Sequence, residues 1–174
     1  MLLKNYDRQI FRPECNPEFE SLHCFAHLDQ DISKALPYLN AALGGFEYVN
    51  DPAAVTFRSQ GKLITVYGRK IAINALRDEA EADKILAWLK REINETWENR
   101  ERIEPSYEGA PRPKLIDILK LLPKTNCKQC GEPTCMVFAA HMVEAVKGPE
   151  DCPPLGVENK RQLENYIGLF KFDV

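Results

Sequence analysis

No stretch of this chain approaches the roughly 20 consecutive apolar residues that a helix needs to cross a bilayer. Runs of like charge are also missing. Lys and Arg number 23 against 26 Asp and Glu, for a net charge of −3. The electrostatic footprint of a general nucleic-acid binder is therefore absent. The opening residues, MLLKNYDRQIFRPEC, carry charges too early and too often for a secretory h-region. No nucleophile–base pair and no phosphate-binding loop is legible, which argues against a stand-alone enzyme. These absences lead to the expectation of a cytoplasmic protein with neither a membrane nor a nucleic acid as partner. Hydrophobic residues at 44% and charged residues at 28% suit a globular chain. Its 174 residues suffice for one ordinary domain, or for one domain and a small module.

The periodicity divides the chain in two. Residues 1–100 mix strand and helix patterns and predict an α+β domain. Residues 21–29, SLHCFAHLD, predict a strand. Residues 31–43 predict a short helix, interrupted or started late by Pro37 and stopped by Gly44 and Gly45. β-rich runs follow at 46–58, 62–67 and 70–76, with turns at Ser59-Gln60-Gly61 and Gly68-Arg69. Such short spacing predicts antiparallel neighbours. A long helix over 79–99 carries Ala82, Ile85, Leu86, Leu89, Ile93 and Trp97 as an apolar stripe. Trp97 is expected to pack on the sheet rather than to serve a partner.

Residues 101–113 predict a linker, with Pro105, Pro111 and Pro113 and no apolar repeat. Residues 114–174 then form a small helical domain. Leu115, Ile116, Ile118, Leu119 and Leu122 predict an amphipathic helix ending at Pro123, and residues 157–168 a closing helix.

Six cysteines need a reason, and four of them fall between residues 127 and 152. Cys127, Cys130, Cys135 and Cys152 read C-x2-C-x4-C-x16-C-P. In a reducing compartment such clustering favours metal ligands over disulfides. A 4Fe–4S cluster needs four thiolates delivered to one pocket by a chain that reverses tightly. The C-x-x-C pair brings two sulfurs together, and Gly131 and Pro133 allow and fix the reversal. Thr134 is the expected N-cap of a helix from Cys135 to about Lys147. The positive end of that helix would favour a thiolate. Zinc is the alternative, since it too takes four cysteines, although zinc ribbons show two C-x-x-C knuckles and this chain has one. A disulfide pair and four unconnected core cysteines are the remaining readings. Four candidate ligands would fill every iron site, which suits one-electron transfer better than Lewis-acid catalysis.

Residues 113–156, through the words LLPKTNC, CGEPTC, FA and PEDCPPL, closely resemble the small 4Fe–4S domain of the corrinoid iron–sulfur protein large subunit. The cluster domain of the Rnf electron-transport complex B subunit is similar but looser. The resemblance implies Cys127, Cys130, Cys135 and Cys152 as ligands and low-potential electron transfer in anaerobic metabolism, with a corrinoid protein as a partner. No counterpart of the barrel and cobalamin domains of the corrinoid protein, or of the membrane anchor and added ferredoxin motifs of the Rnf subunit, is expected within these 174 residues. A second resemblance is one of pattern alone. The order strand, helix, several strands, helix, notably AAVTFRSQGKLITVYGR, is similar to one half of the TATA-binding-protein fold.

His23, Cys24 and His27, with Cys15, offer a second metal site. On a strand, however, His23 and His27 share one face and Cys24 takes the other, so a buried free cysteine and two ordinary histidines are expected. His141 lies in the cluster helix, either as a proton carrier or as an ordinary half-exposed histidine. Lys120, Lys124 and Lys128 either dock an acidic partner or form a solvated face. Two other function classes stand beside electron transfer: a redox- or oxygen-sensing regulatory protein, and a zinc-stabilised interaction module.

Overall fold

The computed structural model describes residues 1–13 and 21–170. The chain folds into two compact units, Met1–Ala110 and Pro111–Phe172. The first is an α+β unit built on one six-stranded antiparallel sheet; the second is helical. Cys15 lies outside the described residues.

The sheet unit starts with a strand that the periodicity did not announce, β1 (Tyr6–Phe11), paired with β2 (Leu22–Leu28). On β2, Cys24, Ala26 and Leu28 are buried while His27 is exposed, as the two-residue repeat of a strand requires. A 3₁₀ turn at Ser33–Ala35 leads into α1 (Leu36–Leu43), so Pro37 falls in the first helical turn, where its missing N–H costs nothing. Gly44 ends the helix at φ 70°, a left-handed backbone suited to glycine.

The expected single strand over 46–58 is two strands, β3 (Glu47–Asn50) and β4 (Ala53–Ser59), paired in the register Glu47 to Thr56. The turn between them contains Pro52, which has no N–H to give a ladder. Alternation alone runs through this corner and so hides it. β4 then pairs with β5 (Lys62–Tyr67) across Gln60 and Gly61, both at positive φ (49° and 76°), as a two-residue hairpin turn needs. β6 (Lys70–Leu76) follows after Gly68-Arg69, and the spatial order is β1-β2-β6-β5-β4-β3.

Helix α2 (Glu79–Glu98) starts where the Asp78 carboxylate accepts the Glu81 N–H at 2.8 Å. Its stripe buries Ala82, Leu86, Leu89 and Ile93 in one core with Val55, Phe57, Ile64, Val66, Ile71 and Ile73. Trp97 is half-buried and meets Tyr38 edge-on at 6.4 Å, with Arg100 stacked over its ring at 4.5 Å. Two buried amides do what the apolar pattern cannot. Asn94 accepts from the Leu2 and Leu3 amides and donates to the Leu3 carbonyl, which fixes the N-terminus on α2. Asn40 donates to the carbonyls of Ser106 and Glu108 and accepts from Gly45, so residues 106–108 are held against α1.

The helical unit contains α3 (Leu115–Leu121), α4 (Cys135–Val143) and α5 (Val157–Ile167). α3 stops one residue before Pro123, with Leu122 extended at ψ 154°, the conformation that a following proline favours. Ile118, Leu122, Phe138, Ala139, Met142, Leu155 and Leu163 form its small core. α4 is shorter than expected. Ala145 takes φ 54°, the Ala145 N–H bonds to the Met142 carbonyl at 3.0 Å, and the Val146 N–H bonds to the His141 carbonyl at 2.8 Å. This pair of bonds is a Schellman motif with alanine where glycine is usual, so the stop signal is silent in the sequence.

Candidate metal centre

Three elements bring the four cysteines of the helical unit together. The loop 123–131 carries Cys127 and Cys130, the first turn of α4 carries Cys135, and a 3₁₀ turn over Pro149–Asp151 delivers Cys152. All four side chains line one pocket, which Leu122, Thr134 and Phe138 also bound. Cys127 is exposed, Cys130 and Cys135 are half-buried, and Cys152 is buried; all are free thiols.

The loop has an unusual backbone. Lys124, Asn126 and Lys128 take positive φ (61°, 50° and 63°), while Thr125 and Cys127 between them do not. Gly131 follows at 83°. Left-handed conformations cost a side-chain-bearing residue about 1 kcal/mol or more, so three in five residues are held by their surroundings. Backbone that enters the left-handed region at alternate residues is the kind from which nests are built, concavities of N–H groups that suit anions and recur at iron–sulfur sites. Residues at 124, 126 and 128 are not glycine, so this alternation has no glycine signature for sequence reasoning to find.

Side chains pin the loop to α4. The Asn126 Oδ1 accepts the Cys135 N–H at 2.8 Å, and the Thr134 Oγ1 accepts the Val137 N–H at 3.2 Å. Thr134 is thus the N-cap that its position predicted, whereas the role of Asn126 was missed; an Asn between Thr and Cys gives only the weak hint of an Asx residue in a turn. On the far side, the Lys147 ammonium donates to the Cys130 carbonyl at 3.0 Å and lies 3.9 Å from Glu132. His141 Nδ1 lies 2.9 Å from the same Glu132 carboxylate, which is only 14% exposed. Glu132, His141 and Lys147 thus form one polar brace behind the C-x-x-C turn. Helical spacing placed His141 on α4 but did not reveal its partner.

The thiols have unlike electrostatics. Hydrogen bonds from the Gln129 backbone and from Thr125 hold the Cys127 thiol below its ordinary pKa. Burial pushes the Cys152 thiol up, and the charges of Cys130, Cys135 and Cys127 push it further. Four thiolates in one pocket repel one another, so bound cations are needed for all to ionise together. Donor chemistry therefore fits a thiolate-bound metal group. Among the described residues no three His, Cys, Asp or Glu close on a point as they would around a single ion, although the four thiols share a pocket.

Cys24 is unconnected to this pocket. It is fully buried among Leu3, Ala26 and Ile73 in the sheet core, and burial raises its pKa. His23 packs edge-on against Phe11 at 5.7 Å. Lys120 lies 3.1 Å from Asp117, whereas Lys124 and Lys128 are exposed on the cysteine loop. Among the described residues no helix is long and apolar enough to cross a membrane.

Comparison with known proteins bears on the same segment. Residues 122–154 match a family model described as "Putative Fe-S cluster". The chain is also similar to acetyl-CoA decarbonylase/synthase complex gamma subunits, the corrinoid iron–sulfur large subunits that the sequence resembles. Identity is 42% over 52 residues with the subunit of Methanothermobacter thermautotrophicus, covering 30% of this chain and 11% of the relative. It is 49% over 45 residues with gamma 1 of Methanosarcina thermophila, covering 26% and 10%. With the subunit of Methanocaldococcus jannaschii it is 46% over 56 residues, covering 30% and 12%. The chain thus spans about a tenth of the length of these relatives. No solved structure matches it. An iron–sulfur segment, with all four clustered cysteines inside the matched residues, is what this chain has in common with the family.

Proposed function

We propose that Cys127, Cys130, Cys135 and Cys152 hold one 4Fe–4S cluster and that the chain is an electron-transfer component of anaerobic metabolism in the cytoplasm. The observation that carries this reading is the convergence of four free thiols from three elements on one pocket. A fully thiolate-ligated cluster supplies a one-electron couple. The chain's own groups do the rest. The left-handed residues of the loop 124–128 are suited to turning N–H groups to negative charge, and the positive end of α4 stands behind Cys135. Lys147 fixes the Cys130 carbonyl, and Phe138 and Leu122 exclude water from one wall. Outer partners of this kind tune a cluster's potential. The gamma subunits belong to acetyl-CoA decarbonylase/synthase complexes, and by that likeness a corrinoid protein is the proposed redox partner. Residues 114–174 are proposed as the cluster domain and residues 1–100 as a separate module that selects the partner.

Iron, sulfide and zinc content after anaerobic purification, with EPR before and after dithionite, tests the reading. About four irons and four sulfides per chain, with a signal only on reduction, are expected. One zinc without sulfide, in protein made with ample iron, would instead identify a structural zinc site. Cys130→Ser should lose the iron and lower the melting point of the helical unit, while Cys24→Ser keeps the iron. The opposite pattern would refute the ligand assignment.

A further inference from the structure

Beside the cysteine pocket lies a second, more open hollow, lined by Leu119, Lys124, Asn126, Thr134, Cys135 and Met136. Asn126, Thr134 and Cys135 line both, so this hollow shares a wall with the candidate metal centre. Met136 is 57% exposed, a large apolar side chain left in water in the first turn of α4. The surrounding charge is lopsided. Residues 114–136 contain four lysines, at 114, 120, 124 and 128, against Asp117 and Glu132. Both carboxylates are engaged, Asp117 by Lys120 and Glu132 by His141 and Lys147. Lys124 and Lys128 remain as exposed cations without a carboxylate partner among the described residues.

We propose that this hollow, lined by Met136 and Lys124 and adjoining the cysteine pocket that Lys128 lines, is the docking surface for an acidic electron-carrier protein. The proposal rests on the electron-transfer reading and adds the partner's chemistry and its place of contact. An apolar centre with a charged rim is the usual anatomy of a protein interface, and rim charges steer the encounter. A nucleic acid is the poorer match, because two unpaired lysines fall far short of the roughly 6–10 phosphate contacts of a typical binder. Docking here would bring the partner against Cys135, with exposed Cys127 between Lys124 and Lys128 in sequence.

The test uses the full chain, purified anaerobically with its metal group, and an acidic flavodoxin as the probe. Binding is measured by calorimetry at low and high salt. The wild-type chain should bind more weakly as salt rises. Lys124→Gln with Lys128→Gln should weaken binding roughly ten-fold at low salt and flatten the salt dependence. Met136→Gln should weaken it at every salt concentration. Lys160→Gln, on α5 and in the lining of neither hollow, should change nothing. Iron content and the EPR signal of each variant must equal those of wild type, which separates docking from damage to the site. Failure of flavodoxin to bind a chain that dithionite still reduces would overturn the docking surface and leave the electron-transfer reading intact. So would unchanged binding in both hollow variants, or displacement of flavodoxin by a DNA duplex. A chain with no reducible metal group would overturn both.

Discussion

The Asn126 carboxamide oxygen accepts the Cys135 N–H at 2.8 Å, joining a left-handed loop residue to the first turn of the helix that carries the third cysteine. This hydrogen bond ties the cysteine loop to α4. Asn126→Ala removes the acceptor and leaves a left-handed alanine, at a combined cost of about 2 kcal/mol. Iron per chain should fall on gel filtration and the helical unit should melt earlier. Asn126→Asp keeps an acceptor and should retain the iron. Equal iron retention by Asn126→Ala and wild type would show that the loop is held by other contacts.

Ala145 occupies the left-handed position of the Schellman motif that ends α4. Glycine reaches that conformation without a Cβ penalty. Ala145→Gly should stabilise the helical unit by about 0.5–1 kcal/mol, seen as a higher thermal midpoint at unchanged iron content. A lower midpoint would mean that the alanine methyl contributes packing worth more than the strain.

Asn94 is buried and makes three hydrogen bonds to the backbone of Leu2 and Leu3. Asn94→Ala leaves those groups unpaired at a cost of about 2–4 kcal/mol. Urea unfolding of the sheet unit should shift to lower concentration, and amide exchange at Leu2 and Leu3 should accelerate. Iron content should not change, because the four candidate ligand cysteines all lie in the other unit. Loss of iron in this variant would contradict that independence.

The thiols should react in a fixed order in the metal-free chain. Hydrogen bonds lower the pKa of exposed Cys127, while burial and neighbouring thiolates raise that of Cys152. Iodoacetamide should therefore modify Cys127 first as pH rises towards the ordinary thiol range of about 8.5, and Cys152 last. The linkage signs are opposite. A lowered Cys127 contributes stability above the ordinary thiol pKa, lost as pH falls through its folded value. A raised Cys152 contributes below the ordinary pKa, lost as pH rises through its folded value. Peptide mapping by mass spectrometry reads the order. Equal rates at the two sites would show that the fold does not impose it.

Spacing alone determined much of this protein. Helix α2 was legible because six apolar residues recur at helical intervals, and the hairpin at Gln60-Gly61 because few sequences other than X-Gly make that turn. The four cysteines were legible as one group because ligands must lie near tight reversals, and Gly131, Pro133 and the Thr134 cap mark them. Tertiary structure decided what periodicity does not encode. Whether residues 46–58 form one strand or two depends on which backbone groups find ladder partners, and Pro52 has no N–H to offer. β1 emerges only through its pairing with β2, since edge strands carry a weak apolar pattern. The left-handed residues at 124, 126, 128 and 145 are strained in isolation, and bonds such as Asn126 to Cys135 and Lys147 to Cys130 hold the site from positions apart in the chain. A chain's local preferences can name its candidate ligands, but only long-range hydrogen bonds can fix where those side chains point.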